Sequence, residues 1–138
     1  MTERPPYLAD ANLLLRFLLN DHAEHSAASR RFMARVHARE ITLEIPFIAL
    51  TEAVFTLLSY YKRDRQDVSR EVLKILNAPG VNFRGPEWML AALEELGIRK
   101  VSFGDACLAA ESRFTEIPVV SFDRDLDKFD GVVRFEPK

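Results

Sequence analysis

Two acidic residues of this sequence follow short apolar runs, at places where a strand would end. Asp10 comes after Tyr7-Leu8-Ala9 and is followed by leucines at helical spacing, and Asp123 comes shortly after Val119-Val120-Ser121. Ligands of open α/β sheets bind in the crevice beyond the carboxyl ends of the strands. Both carboxylates are therefore candidates for a ligand-binding or catalytic site.

Two further acids, Glu52 and Asp105, belong to predicted helices. Glu52 is the only ionisable side chain besides the tyrosines in residues 46–61, and its helical neighbours Ile48 and Phe55 are apolar. We expect its carboxylate to point inward. An unpaired buried charge costs several kcal/mol, so Glu52 would need an arginine in a structural salt bridge, a shared proton or a metal ion as its partner. Asp105 stands in the first turn of a later helix.

The other acids also have purely structural interpretations. Asp10, or Asn12 beside it, could cap the helix that follows, and Asp123 could do the same for its own helix. Ser102 and Asp105 are spaced like a capping box, in which Asp105 is a first-turn acid that the helix dipole favours.

The four acids together are harder to explain in this way than each is alone. Several carboxylates in one crevice cannot all remain ionised unless a cation neutralises them, because like charges raise one another's pKa. An all-oxygen ligand set suits magnesium or manganese. Such an ion can generate hydroxide from bound water and stabilise the charge that develops on a phosphodiester. The residues therefore point to metal-dependent nuclease chemistry.

Four short motifs, in this order, resemble the acidic motifs of the PIN domain, and within that family those of the VapC-type ribonuclease toxins of bacterial toxin–antitoxin pairs. They are Leu8-Ala9-Asp10-Ala11-Asn12, Thr51-Glu52-Ala53, Phe103-Gly104-Asp105-Ala106 and Ser121-Phe122-Asp123-Arg124-Asp125. The resemblance covers nearly the whole chain. It implies a catalytic, metal-binding quartet and two polar residues that orient it: Asp10, Glu52, Asp105 and Asp123, with Asn12 and Ser121.

The resemblance also implies a fold and partners. The family's fold is a three-layer α/β/α sandwich with a central, mainly parallel sheet. Its toxins act on RNA as homodimers that a cognate antitoxin holds inactive. This sequence departs from the family pattern at Ser121, where threonine is commoner, and Asp125 and Asp127 are alternatives to Asp123 as the fourth acid.

A non-cleaving module of the same fold, which binds RNA or a protein partner, is the alternative function, and the presence of all four acids weakly opposes it. A calcium-binding EF-hand loop at Asp123 does not fit, because its turn glycine would fall at Lys128 and its closing glutamate at Arg134. A phospho-acceptor receiver domain would need a lysine at the end of its late strand, and residues 119–123 contain none.

The spacing of apolar residues predicts strands that alternate with helices. Strands are expected at Tyr7–Ala9, Thr42–Ile45, Val81–Phe83, Pro118–Ser121 and Val132–Phe135. Helices are expected after Asp10, at about 22–39 and 46–61, from a cap at Asp67 to Leu76, from Gly85-Pro86 to Leu96 with Gly97 as the stop signal, and at Gly104–Phe114. Strands separated by long helices indicate a parallel sheet that is sandwiched between helices.

The composition limits the class of protein. The chain has 138 residues, nearly half of them apolar, and we expect a single domain over residues 1–138. A net charge of −2 gives no general attraction to nucleic acid, so an RNA partner would need a basic patch or bridging cations. The apolar stretch around Glu52 is too short to cross a bilayer, and Met1–Pro6 lacks the features of an export signal. We therefore expect a cytoplasmic protein that does not enter the membrane.

Overall fold

The structure, a computed structural model, describes residues 6–138. Its contacts divide the chain into two compact units, which we call unit 1, ending at Gly85, and unit 2, spanning Pro86–Lys138. Our expectation of one domain over residues 1–138 stays a prediction. The first five residues, which belong to the stretch where we expected no export signal, lie outside the described residues. Within residues 6–138, no helix combines the length and the apolar character that a transmembrane span requires.

The described part of unit 1 contains a parallel sheet of three strands, in the order β1-β2-β3. These strands are β1 (Pro6–Leu8), β2 (Thr42–Pro46) and β3 (Val81–Arg84). The helices of the same unit are α1 (Ala11–Leu19), α2 (Ala23–His37), α3 (Phe47–Ser59) and α4 (Arg65–Leu76). In the central strand, Leu43 pairs with Tyr7 on one side and with Val81 on the other.

The central strand β2 is apolar on one face. Leu43 and Ile45 are fully buried and alternate with partly exposed residues, which is the two-residue period of a strand with one packed face. Pro46 ends β2 in an extended conformation and is immediately followed by α3. The turn therefore places α3, which carries Glu52, directly after the carboxyl end of β2.

Unit 2 consists of two helices, a second parallel sheet and a short 3-10 helix. Its elements are α5 (Trp88–Ile98), α6 (Phe103–Thr115), β4 (Val119–Val120), the 3-10 helix (Arg124–Lys128) and β5 (Arg134–Phe135). Strands β4 and β5 pair in parallel, with Val119 opposite Arg134.

A buried apolar cluster holds the 3-10 helix in place within unit 2. Leu126 from this helix and Phe129 just after it, 1% and 2% exposed, pack with Ala109 of α6 and Val119 of β4. Because Leu126 lies between two exposed aspartates, its burial fixes which way the acids of this segment face.

Several helix ends differ from the predicted ones. α4 begins after Asp64 and not at Asp67, because Asp64 Oδ1 accepts hydrogen bonds from the N–H groups of Gln66 at 2.8 Å and of Asp67 at 3.3 Å. α5 continues through Gly97 and ends at Ile98. The capping residue that follows, Arg99, is extended with φ −111°. The helix is thus terminated without a left-handed residue, and Gly97 is not needed as its stop signal.

The predicted fold class is confirmed. The protein is α/β, with a parallel sheet flanked by helices. Each predicted strand from residue 6 onward has an observed counterpart within two residues of its expected limits.

Candidate functional site

Asp105 lies in the first turn of α6. Ser102 caps this helix, since its Oγ accepts a hydrogen bond from the Asp105 N–H at 3.0 Å. Phe103 is 2% exposed and anchors the same turn in the core. The capping interaction between Ser102 and Asp105 is therefore present as the spacing predicted, and it leaves the Asp105 carboxylate half-buried at the start of the helix.

Asp123 lies on the turn that follows β4, and Asp125 lies at the start of the 3-10 helix. Ser121 Oγ accepts a hydrogen bond from the Asp123 N–H at 2.9 Å, and Asp123 Oδ1 accepts one from the Asp125 N–H, also at 2.9 Å. Asp123 thus caps the 3-10 helix, as its structural interpretation predicted. A carboxylate has about four lone-pair sites, so this cap leaves Asp123 able to bind a cation as well.

Asp105, Asp123 and Asp125 form what we call the aspartate cluster. One carboxylate oxygen from each residue lies within 4.8 Å of the corresponding oxygens of the other two. Asp123 and Asp125 are exposed, and Asp105 is half-buried. Hard oxygen donors that converge in this way suit magnesium or manganese, which bind through one or two carboxylates and several waters. The donor set fits the type of ion that the sequence predicted.

The cluster carries an excess of negative charge. Burial raises the pKa of Asp105 above its ordinary value, and the charges of Asp123 and, more weakly, Asp125 raise it further. A hydrogen bond with Ser102 and the charge of Lys128 oppose this shift of the pKa. Lys128 Nζ also lies 3.2 Å from Asp125 Oδ1, an exposed ion pair. A divalent cation would relieve the remaining repulsion.

Asp127 has a different environment from Asp125. Arg134 of β5 binds it with two parallel hydrogen bonds, from Nε to Oδ1 at 2.9 Å and from Nη2 to Oδ2 at 3.1 Å. The hydrogen bond from Arg134 lowers the pKa of the Asp127 carboxyl. Among the described residues, Asp125 shares the cluster with Asp123, whereas Asp127 is paired with arginine. The sequence shows an arginine between Val133 and Phe135, but it does not show that this arginine pairs with Asp127.

Asp10 caps α1 in unit 1. Its Oδ1 accepts a hydrogen bond from the Leu13 N–H at 2.9 Å, so the structural interpretation of this residue is observed. The Ala9 N–H donates to the Glu44 carbonyl oxygen at 2.9 Å, which continues the contact between β1 and β2 up to the residue before Asp10. Asp10 and Asn12 are both exposed, and their roles in metal binding and in orienting the acids stay predictions.

Glu52 is exposed on α3, so our expectation that its carboxylate points inward was wrong. The buried face of α3 includes Ala53 and Leu57. Glu52 shares the opposite side with Ile48 and Phe55, which are themselves 73% and 49% exposed. Apolar neighbours do not indicate burial when they also lie at the surface. The predicted role of Glu52 as a metal ligand stays a prediction.

Comparison with known proteins identifies the family. The PIN domain family matches residues 7–132, a range that includes all of the acids discussed above. No individual curated protein matches the chain. Since the family match covers far more than half of the sequence, this chain belongs to the PIN domain family.

Proposed function

We propose that this protein is an endoribonuclease that hydrolyses RNA phosphodiester bonds with the help of magnesium or manganese. PIN domains are generally nucleases, so membership of the family supports a hydrolase that acts on phosphodiester bonds. The aspartate cluster is the observation that carries the proposal, because it provides a donor set for a hard cation within unit 2.

The residues of the cluster have distinct tasks in this proposal. Asp105, Asp123 and Asp125 would hold the ion, and Ser102 and Ser121 hold the backbone N–H groups of Asp105 and Asp123 in place. A bound ion of this kind supplies hydroxide from its water and stabilises the charge that develops on the phosphate. The raised pKa of Asp105 reflects a carboxylate that a cation would stabilise in its ionised form.

The other predicted site residues enter the proposal through the four-motif resemblance. On that ground we assign Asp10 and Glu52 as further metal ligands and catalytic residues, with Asn12 as a residue that orients them. Their exposure in unit 1 leaves both carboxylates accessible to an ion or a substrate.

We also infer from the resemblance to VapC toxins that the protein is the toxin of a toxin–antitoxin pair and that it forms homodimers. The exposed apolar side chains of α3 support a protein–protein contact there, since Ile48 is 73%, Phe55 49% and the adjoining Tyr60 77% exposed. Sedimentation of the purified protein alone should show a dimer, and a monomer at micromolar concentration would count against self-pairing.

Cleavage of labelled total RNA by protein freed of antitoxin tests the enzymatic proposal. Activity should require magnesium or manganese and disappear in excess EDTA. Asp105→Asn keeps the size of the side chain and removes a ligand charge, so the rate should fall at least about a hundredfold, the upper end of what losing a supporting residue costs. Asp130→Asn is the matched control, because the Asp130 side chain is fully exposed and its ion contact with Arg99 is long, at 3.9 Å.

The outcomes separate the two functions under consideration. Full cleavage in EDTA would contradict the metal-dependent mechanism. RNA binding without cleavage at any metal concentration would favour the non-cleaving module. A preference for DNA of the same sequence would contradict RNA as the substrate.

A further inference from the structure

Arg134 makes more contacts than an isolated surface ion pair requires. Its side chain is only 13% exposed. Besides the two hydrogen bonds to Asp127, Nη1 donates to the Ser121 carbonyl oxygen at 3.0 Å and to Glu136 Oε1 at 3.2 Å. A guanidinium group presents its donors in a rigid plane, so these contacts fix the positions of their acceptors relative to one another.

The residues that Arg134 holds are the two ends of one segment. We call residues 121–127 the acidic segment, because it carries Asp123 and Asp125 between Ser121 and Asp127. Ser121 is also tied to β5 through its N–H, which donates to the Phe135 carbonyl oxygen at 3.0 Å. Both ends of the acidic segment are therefore bound to β5, and the two clustered aspartates lie between the fixed points.

We propose that Arg134 and Asp127 are positioning residues that hold the acidic segment so that Asp123 and Asp125 face Asp105. Neither residue contacts the ion in this proposal. It rests on the proposed function in one respect only, that the aspartate cluster binds a divalent cation. Residues that orient metal ligands in other proteins commonly change metal affinity ten- to a hundredfold when they are replaced, and we expect the lower part of that range here, about tenfold.

Because Arg134 is positively charged, a positioning role and a purely electrostatic role predict opposite effects on metal binding when its charge is removed. A cationic side chain near an acid cluster repels a metal ion, so removing its charge should tighten metal binding if charge were all that mattered. The positioning role predicts weaker metal binding instead, because losing the hydrogen bonds of the guanidinium group releases both ends of the acidic segment. Arg134→Lys sharpens the contrast, since it keeps the charge but cannot make the same set of hydrogen bonds.

The experiment is a titration of the full chain with manganese ions, in which the free ion is followed by its electron paramagnetic resonance signal. Wild type, the single variants Arg134→Gln, Arg134→Lys and Asp127→Asn, and the Arg134→Gln/Asp127→Asn double variant are compared at a temperature where circular dichroism shows each to be folded. Arg70→Gln serves as the matched control, because Arg70 pairs with Asp67 at 2.7 Å on the exposed side of α4. The dissociation constant of the Arg70→Gln variant for manganese should equal that of wild type.

We expect both Arg134 variants to bind manganese about tenfold more weakly than wild type. The Arg134→Gln/Asp127→Asn double variant should bind nearly as well as the weaker of the single variants, because the two residues act as one unit. Unchanged or tighter binding of manganese in either Arg134 variant would overturn the proposal. A loss confined to Asp127→Asn would also overturn it, because it would identify Asp127 as a ligand.

A merely structural role gives a different result. It would lower the melting temperature in EDTA and leave the dissociation constant of the folded protein unchanged, which again overturns the positioning role. If wild type itself bound no manganese, the metal site of the proposed function would fail together with this inference. If wild type bound manganese and the Arg134 variants bound it equally well, only this inference would fail.

Discussion

At the scale of single residues, the environment of Asp105 contains the clearest electrostatic conflict of the site. Its carboxyl group is half-buried and lies beside two other carboxylates, and both factors raise its pKa. A carboxyl group whose pKa is higher in the folded than in the unfolded state contributes to stability, and this contribution is fully present at a pH below its pKa in the unfolded state. That contribution is lost as the pH rises through the folded value. At neutral pH and without metal, ionised Asp105 therefore lowers the stability of the fold.

Asp105→Asn should accordingly stabilise the metal-free protein more at neutral pH than in acid. Asparagine does not titrate, so the free energy of unfolding of the variant minus that of wild type should be larger at about pH 7 than at about pH 4. Urea denaturation in EDTA at the two pH values measures this difference. An equal effect of the substitution at both pH values would contradict the raised pKa of Asp105.

At the scale of elements, the caps and turns of this protein explain which parts of the site were predictable. The caps formed by Asp10 and Ser102 join residues three apart in the chain, so short-range patterns predicted them. The pair between Arg134 and Asp127 depends on β5 returning beside β4, and the exposure of Glu52 depends on which face of α3 is packed. Neither was readable from neighbouring residues, because each is decided by tertiary packing.

Asp10 has two roles to separate, one as the cap of α1 and one as a proposed metal ligand. If Asp10 acts as a cap, Asp10→Ala should lower the free energy of unfolding by about 1 kcal/mol. Asp10→Asn should keep most of this stabilisation, since asparagine also caps helices. As a ligand, both variants should lose part of the stabilisation that magnesium gives by binding only the folded state. Thermal melts with EDTA and with magnesium distinguish the roles. A full magnesium shift in both variants would remove Asp10 from the ligand set.

Glu95 connects the elements that support the aspartate cluster within unit 2. It accepts hydrogen bonds from Arg99 Nε at 2.8 Å and from Arg113 Nη2 of α6 at 2.9 Å, and its side chain is 14% exposed. Arg99 Nη1 in turn donates to the Lys128 carbonyl oxygen at the end of the 3-10 helix. Burial raises the pKa of Glu95, but the hydrogen bonds from Arg113 and Arg99 outweigh it and leave this pKa lowered.

Glu95→Gln should destabilise the protein by about 2 kcal/mol near neutral pH, the usual size of a hydrogen bond to a charged group. Because the pKa of Glu95 is lowered on folding, the contribution of ionised Glu95 to the stability of the fold is fully present above the pKa that this group has in the unfolded chain. It is lost as the pH falls through the folded value, so the gap between wild type and variant should narrow in acid. Chemical denaturation from neutral to acidic pH is the test, with Glu111→Gln at an exposed position of α6 as control. A gap that widened toward low pH would contradict the assigned cause.

At the scale of the whole molecule, the family assignment supports nuclease chemistry, and the charge of the chain limits how the protein can engage a polyanion. The match to the PIN domain spans residues 7–132, and the four motifs that resemble the family's acidic motifs lie within this range. With a net charge of −2, the chain as a whole does not attract a polyanion. A divalent ion held by the aspartate cluster would therefore serve both to engage a phosphate and to activate water.

The most direct test of the metal centre is a crystal of the protein grown with manganese and measured at a wavelength where manganese scatters anomalously. We predict an anomalous peak within coordination distance of the carboxylates of Asp105, Asp123 and Asp125, which should disappear in Asp123→Asn crystals grown in the same way. A well-ordered cluster without such a peak, or a peak bound only by other residues, would contradict the claim that these three aspartates hold the ion.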